Sequence, residues 1–99
     1  MENVKSITVI GKRWFDKNYG NTYCSSKVYF DGTLVLEIPM EYGYGSFYIQ
    51  NAVDKLDKAG LIKIRRYDNG GHEALWQFCE RNNIQLNDQV FDVRRKKDL

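Results

Sequence analysis

Few side chains in this sequence could do covalent chemistry, and their spacing argues against it. Metal binding needs several convergent ligands, whereas the chain carries one His and two Cys and has neither a C-x-x-C pair nor an H-E-x-x-H helix. His72-Glu73 is only an adjacent dipeptide at an expected helix start, where a solvated or capping role is the simpler reading. Cys24 and Cys79 could each act as a nucleophile with a His as base, yet neither lies at a recognisable strained turn and no third orienting group is marked by spacing. Both fall on apolar faces of their elements, as small buried hydrophobes do. Asp54 and Asp57 share the polar side of an expected helix, which is a solvated surface. No catalytic residue, metal site or cofactor is therefore expected, and the chain is read as a non-enzyme.

What remains is binding chemistry. Tyr42-Gly43-Tyr44-Gly45 has the glycines of a phosphate loop but lacks both the Gly-Lys-Ser/Thr ending and the third glycine of a dinucleotide fingerprint. It leaves two tyrosines ahead of a helix start, where backbone amides can accept an anion, so a small-ligand site or sponge around Tyr42 to Ser46 is one alternative. Basic residues form three groups: Lys12 and Arg13 beside Trp14, Lys63 with Arg65 and Arg66 beside Tyr67, and Arg94 to Lys97. Interleaved aromatic and basic side chains can stack on bases and track phosphates, which makes direct nucleic-acid binding a second alternative. Against it, Asp16, Asp54, Asp57 and Asp68 lie close in sequence, and a net charge of +2 is too small for a strong nonspecific hold on a phosphate backbone.

Aromatics make up 14% of the chain, with seven tyrosines, and tyrosine offers broad contact area at little entropic cost. Core packing is the competing explanation of the same rings. The candidate binding residues are Arg13, Trp14, Tyr19, Tyr23, Tyr42, Tyr44, Lys63, Arg65 and Arg66, because aromatic and Arg side chains dominate binding hot spots.

The elements that must position them form one domain, since 99 residues are too few for two well-buried cores. Val4 to Phe15 reads as a first strand from Ile7, Val9 and Ile10, with Gly11 marking a bulge or bend. Asp16 to Asn21 reads as a hairpin loop. Thr22 to Phe30 alternates Cys24, Ser26, Val28 and Phe30 against Tyr23, Ser25, Lys27 and Tyr29. Asp31-Gly32 suits a two-residue type I′ turn, and Leu34, Leu36 and Ile38 give a third antiparallel strand on one face, ended by Pro39. A helix follows from Ser46 as N-cap, with Ile49, Ala52, Val53 and Leu56 on its apolar side and Gly60 as its C′ residue. Leu61 to Tyr67 reads as a returning strand and His72 to Asn82 as a second helix ended at Asn83. A last extended segment carries Ile84, Leu86, Val90, Phe91 and Val93, interrupted by Asn87-Asp88. The order β-β-β-α-β-α-β gives an α+β fold, an antiparallel sheet with helices on one face. Residues 94–99 read as a frayed basic tail.

Two cysteines without a secretory signal do not make a disulfide framework, and no run approaches the roughly 20 apolar residues that cross a bilayer. A cytoplasmic location and no membrane contact are expected. An exposed sheet edge could also join two copies into a homodimer.

The block Gly11-Lys12-Arg13-Trp14-Phe15-Asp16-Lys17, followed by Tyr19-Gly20-Asn21-Thr22-Tyr23, resembles a group of small proteins encoded by phages and prophages. Tyr42-Gly43-Tyr44-Gly45 with Tyr48, Ala52, Leu56 and Gly60 resembles the same group at matching separation. Together the blocks cover about half of the chain and end before Lys63. The group tends to carry His where this chain has Cys24. The resemblance implies a phage accessory protein, a class that includes compact inhibitors of bacterial defence systems such as anti-CRISPR proteins. The leading expectation is thus a non-enzymatic protein that inhibits or modulates a host protein or protein–nucleic-acid complex in the bacterial cytoplasm.

Overall fold

The computed structural model describes residues 4–43 and 47–99. Tyr44, Gly45 and the expected N-cap Ser46 lie outside the described residues.

Three strands lead the chain: β1 (Ser6–Asp16), β2 (Asn21–Phe30) and β3 (Thr33–Tyr42). The β1–β2 loop closes with the Asp16 carbonyl accepting from the Gly20 amide at 2.7 Å and the Asp16 side chain accepting from the Asn18 amide at 2.9 Å. Gly20 takes φ +69° there, a conformation cheap only without a Cβ. Asp31 and Gly32 both have positive φ, 50° and 84°, as a type I′ turn requires. The Asp31 carboxylate also accepts from the backbone amides of Lys5 and Ser6, which ties this turn to the start of β1.

Two helices follow, α1 (Phe47–Lys58) and α2 (Leu75–Arg81). Each ends in the same way. After α1, Gly60 at φ +76° lets the Leu61 amide reach the Leu56 carbonyl and its own amide reach that of Asp57. After α2, Asn83 at φ +56° allows Ile84 to reach Cys79 and its own amide to reach Glu80. Both are the paired bonds of a Schellman motif, which satisfy otherwise orphaned carbonyls. The second helix starts later than its apolar pattern suggests. Glu73 cannot be its first turn because its carboxylate is 3% exposed and accepts from Arg81 and from the Arg65 amide. The Gln77 side chain instead takes the Ala74 amide at 3.0 Å.

The last strand, β4 (Gln85–Val93), runs without interruption through Asn87 and Asp88. It pairs parallel with β1, from Ser6 opposite Gln85 to Trp14 opposite Val93. The four-stranded sheet has the order β3-β2-β1-β4 and is mixed, not purely antiparallel. Local patterning cannot show this, since a parallel partner is chosen by the crossover that the helices make. The fold is α+β with the expected order along the chain. Its fourth β segment, within 61–67, makes a single bridge from Arg66 to His72 and stays outside the sheet. Its amides are satisfied in the helical layer, Ile64 on Asp57 and Arg65 on Glu73.

One face of the sheet is covered. Ile7, Val9, Val28 and Ile38 meet Ala52, Val53 and Leu56 of α1 and Leu75, Phe78 and Cys79 of α2 in a single core, with Ile62, Ile64 and Ile84 closing it. Full burial stabilises each large aliphatic side chain by about 1.5–3 kcal/mol. The molecule measures 45 × 34 × 19 Å, and the short dimension corresponds to one sheet plus one helical layer.

Three local expectations change. Gly11 marks no bulge, since β1 and β2 stay in register on both sides of it; the ring of Tyr48 packs on it instead, and a Cβ there would sit 2.6 Å from that ring. Pro39 does not end β3. It lies inside a register shift between Cys24 opposite Glu41 and Ser26 opposite Ile38, on an edge strand where a missing N–H is tolerated. A second shift between Val28 and Tyr29 turns Leu34 out of the core, leaving it 42% exposed, and Val35 packs inward in its place.

Candidate interaction surface

Among the described residues, no α-helix packs on the opposite face of the sheet. Strand alternation sends Thr8, Ile10, Lys12 and Trp14 of β1, and Tyr23, Ser25, Lys27 and Tyr29 of β2, to this side. At one end of it three rings form a row across three strands. Trp14 and Tyr23 are directly cross-strand and stack, with centroids 5.8 Å apart and planes 25° from parallel. Tyr23 and Tyr42 are the next cross-strand pair and meet edge to face, again at 5.8 Å. Such pairs stabilise a sheet and fix ring orientation. Tyr42 keeps 53% of its surface exposed, and Trp14 and Tyr23 are half-buried.

The C-terminal residues fold back over the same face. The Trp14 indole N–H donates to the Arg94 carbonyl at 3.2 Å, and Lys12 Nζ donates to the Asp98 carbonyl at 3.1 Å. Lys96–Asp98 form a 3₁₀ turn, and Leu99 sits between two shallow depressions. The walls of one include Lys12, Arg94, Arg95, Lys97 and Asp98, and those of the other include Ile10, Lys12, Lys27, Tyr29 and Glu37. Lys12 borders both.

Not every candidate residue joins it. Arg13 neighbours Trp14 in sequence, but alternation points it to the helical side, where it pairs with Asp92 at 3.0 Å. Tyr19 projects from the β1–β2 loop, 79% exposed, and Tyr44 lies outside the described residues. Lys63, Arg65 and Arg66 belong to the helical layer, beyond the far end of α1. Arg66 is held by Asp54 at 3.1 Å and Asp57 at 2.8 Å, and these contacts raise its pKa, that to Asp57 most. Arg81, which sequence reading passed over, anchors the buried Glu73 at 2.7 Å, and its guanidinium lies 5.2 Å from the centre of the Phe78 ring. Lys12 and the tail figure in the sequence only as basic groups, and Lys27 is not among them; its strand parity with Tyr23 is the signal that finds it.

No family model, no curated protein and no solved structure matches this chain. The surface must therefore be judged on its own chemistry. Cys24 and Cys79 are free and buried; burial raises both thiol pKa values, that of Cys79 to about 11. His72 Nδ1 lies 3.0 Å from the Glu73 carbonyl. Among the described residues no three His, Cys, Asp or Glu side chains converge as metal ligands, and no helix is long and apolar enough to cross a membrane. The helix-free face is equipped for stacking, hydrogen bonding and charge attraction.

Both sheet edges carry features that discourage strand addition. β3 has two register shifts and a proline, and β4 presents Asp88 and Asp92 within its run.

Proposed function

We propose that this protein is a non-enzymatic interaction protein of the phage accessory type, which inhibits or modulates a host protein or protein–nucleic-acid complex, as anti-CRISPR and other anti-defence proteins do. The observation that carries this reading is the Trp14–Tyr23–Tyr42 row on a sheet face that neither α1 nor α2 covers. Half-exposed aromatic side chains held rigid by their neighbours make contact area without a large entropic cost on binding. The buried, high-pKa thiols agree with a binding role better than with nucleophilic chemistry.

The test is affinity isolation from bacterial lysate with the native protein, a Tyr23→Ser/Tyr42→Ser variant, and a Trp76→Ser variant changed on the helical side, at two salt concentrations. Protein and nucleic acid are both identified in each eluate. A species held by native protein and by Trp76→Ser, but lost with the double tyrosine variant, supports the reading. Recovery of the same species by all three, or of nothing by any, overturns it.

A further inference from the structure

We propose that the helix-free face binds single-stranded nucleic acid, with unpaired bases on the Trp14–Tyr23–Tyr42 row and phosphates on Lys12, Lys27 and the C-terminal cations. This deepens the interaction reading above and rests on the same face. Of the three basic groups in the sequence, it draws on Lys12 and the tail Arg94 to Lys97, and not on Lys63, Arg65 and Arg66.

Three observations converge. First, rings from three adjacent strands make successive contacts, each 5.8 Å centre to centre, the first pair stacked and the second edge to face, and an open four-stranded sheet bearing aromatic side chains is a general platform on which two or three splayed bases stack. Second, most ion pairs lie on the helical side. The ion pairs of the helical side, Asp54 and Asp57 with Arg66, Glu73 with Arg81 and Glu41 with Lys55, neutralise cations there. Among the described residues, Lys27, Arg94, Lys96 and Lys97 have no carboxylate within ion-pair distance, and Lys12 meets only a backbone carbonyl. Arg95 is the tail cation that is paired, to Asp98. Third, these cations flank the row. Lys12 is two residues from Trp14 on the same strand face, Arg94 follows the β4 residue paired with Trp14, and Lys27 lies on the same face of β2 as Tyr23. Glu37 lies directly opposite Lys27 on this face and Asp98 pairs with Arg95 in the tail, so the excess of positive charge rests on Lys12, Arg94, Lys96 and Lys97.

The geometry selects single strands. Ring faces can stack only on bases that are not already stacked in a duplex. The tail and Leu99 lie in the path of such a strand between the two depressions, so binding repositions the last residues and their cations follow the phosphates.

The experiment uses fluorescein-labelled 12-nucleotide oligothymidylate and oligouridylate, and a duplex of the same length, titrated with the full chain and followed by anisotropy. Both single strands are tested because the 2′-hydroxyl distinguishes RNA from DNA. With about four phosphates neutralised, affinity for a single strand falls roughly 50-fold between about 50 and 200 mM salt. Tyr23→Ser/Tyr42→Ser weakens binding by about tenfold or more, Arg94→Glu/Lys97→Glu weakens it and flattens the salt dependence, and Lys63→Glu/Arg65→Glu leaves it unchanged. In Trp76→Phe, where Trp14 is the remaining tryptophan, emission is quenched on addition of the single strand and not of the duplex. Absence of binding at 50 mM salt by both single strands, equal affinity for the duplex, or an equal loss with Lys63→Glu/Arg65→Glu overturns the proposal. If oligonucleotides fail while the tyrosine variant still loses a captured protein, the nucleic-acid proposal falls and the interaction reading stands. Circular dichroism of each variant separates loss of binding from loss of fold.

Discussion

Tyr48 of α1 lies against Gly11 of β1 with no space for a side chain between them: a Cβ at Gly11 would come within 2.6 Å of the ring. The Tyr48 hydroxyl continues across the sheet to donate to Asp88 of β4 at 3.1 Å. One tyrosine thus joins the first strand, the first helix and the parallel edge strand.

Gly11→Ala is expected to destabilise the protein by about 1–2 kcal/mol, because a packed ring must shift to admit the methyl group while the gain from a stiffer unfolded chain is smaller. Thermal denaturation should show a midpoint lowered by roughly 5–15 °C. Combined with Tyr48→Ala, the same substitution should cost little further, since the obstructing ring is gone. Strict additivity of the two changes would contradict the packing account.

Leu56 and Trp76 should behave oppositely despite similar hydrophobicity. Leu56 is fully buried, and Leu56→Ala removes atoms that the core cannot replace, at a cost of about 2–5 kcal/mol. Trp76 is 58% exposed on α2, so Trp76→Ser should change stability by no more than about 0.5 kcal/mol. Urea denaturation of the two variants reads both values.

Acid should loosen the helical layer first. The Arg81 guanidinium holds the Glu73 carboxyl below its ordinary 4.5, and the Ile64 amide, with Arg66, holds that of Asp57 below 3.8. A carboxyl with a lowered folded pKa contributes stability that is complete above its unfolded value and is lost as pH falls through the folded one. Stability should therefore be flat near neutrality and decline below about pH 4.5. Arg81→Ala strands Glu73 in the interior without its cation; the variant should be less stable at pH 7 and should lose less on acidification than the native protein. Equal pH profiles for the two would remove Glu73 from the account.

The thiols should be silent in the folded state. Burial keeps Cys24 and Cys79 protonated at pH 8, and the thiolate is the reactive form. A chromogenic disulfide reagent should react with neither cysteine until denaturant is added, and then with both. Rapid labelling of native protein would mean that the core opens locally.

Much of the local structure could be read from short stretches of chain. Asp31-Gly32, Gly60 and Asn83 each specify a backbone reversal through residues within five positions, and each takes the positive φ that its type allows. The alternation of β2 was equally plain, because Cys24, Ser26 and Val28 of one face are buried. The returning segment Leu61 to Tyr67 was not, since its apolar and basic residues alternate as in a strand while its amides are satisfied by Asp57 and Glu73, side chains whose positions depend on the whole helical layer.

The aromatic and basic residues were visible as types, but their grouping was not. Arg13 and Trp14 are adjacent in sequence and end on opposite faces, whereas Trp14, Tyr23 and Tyr42 are spread over 29 positions and form one row. Turns and caps depend on interactions a few residues apart, so the amino-acid order suffices for them. Which strand lies beside which, which face the helices cover and which cations find carboxylates depend on burying one common core, and that choice is made only when distant segments meet.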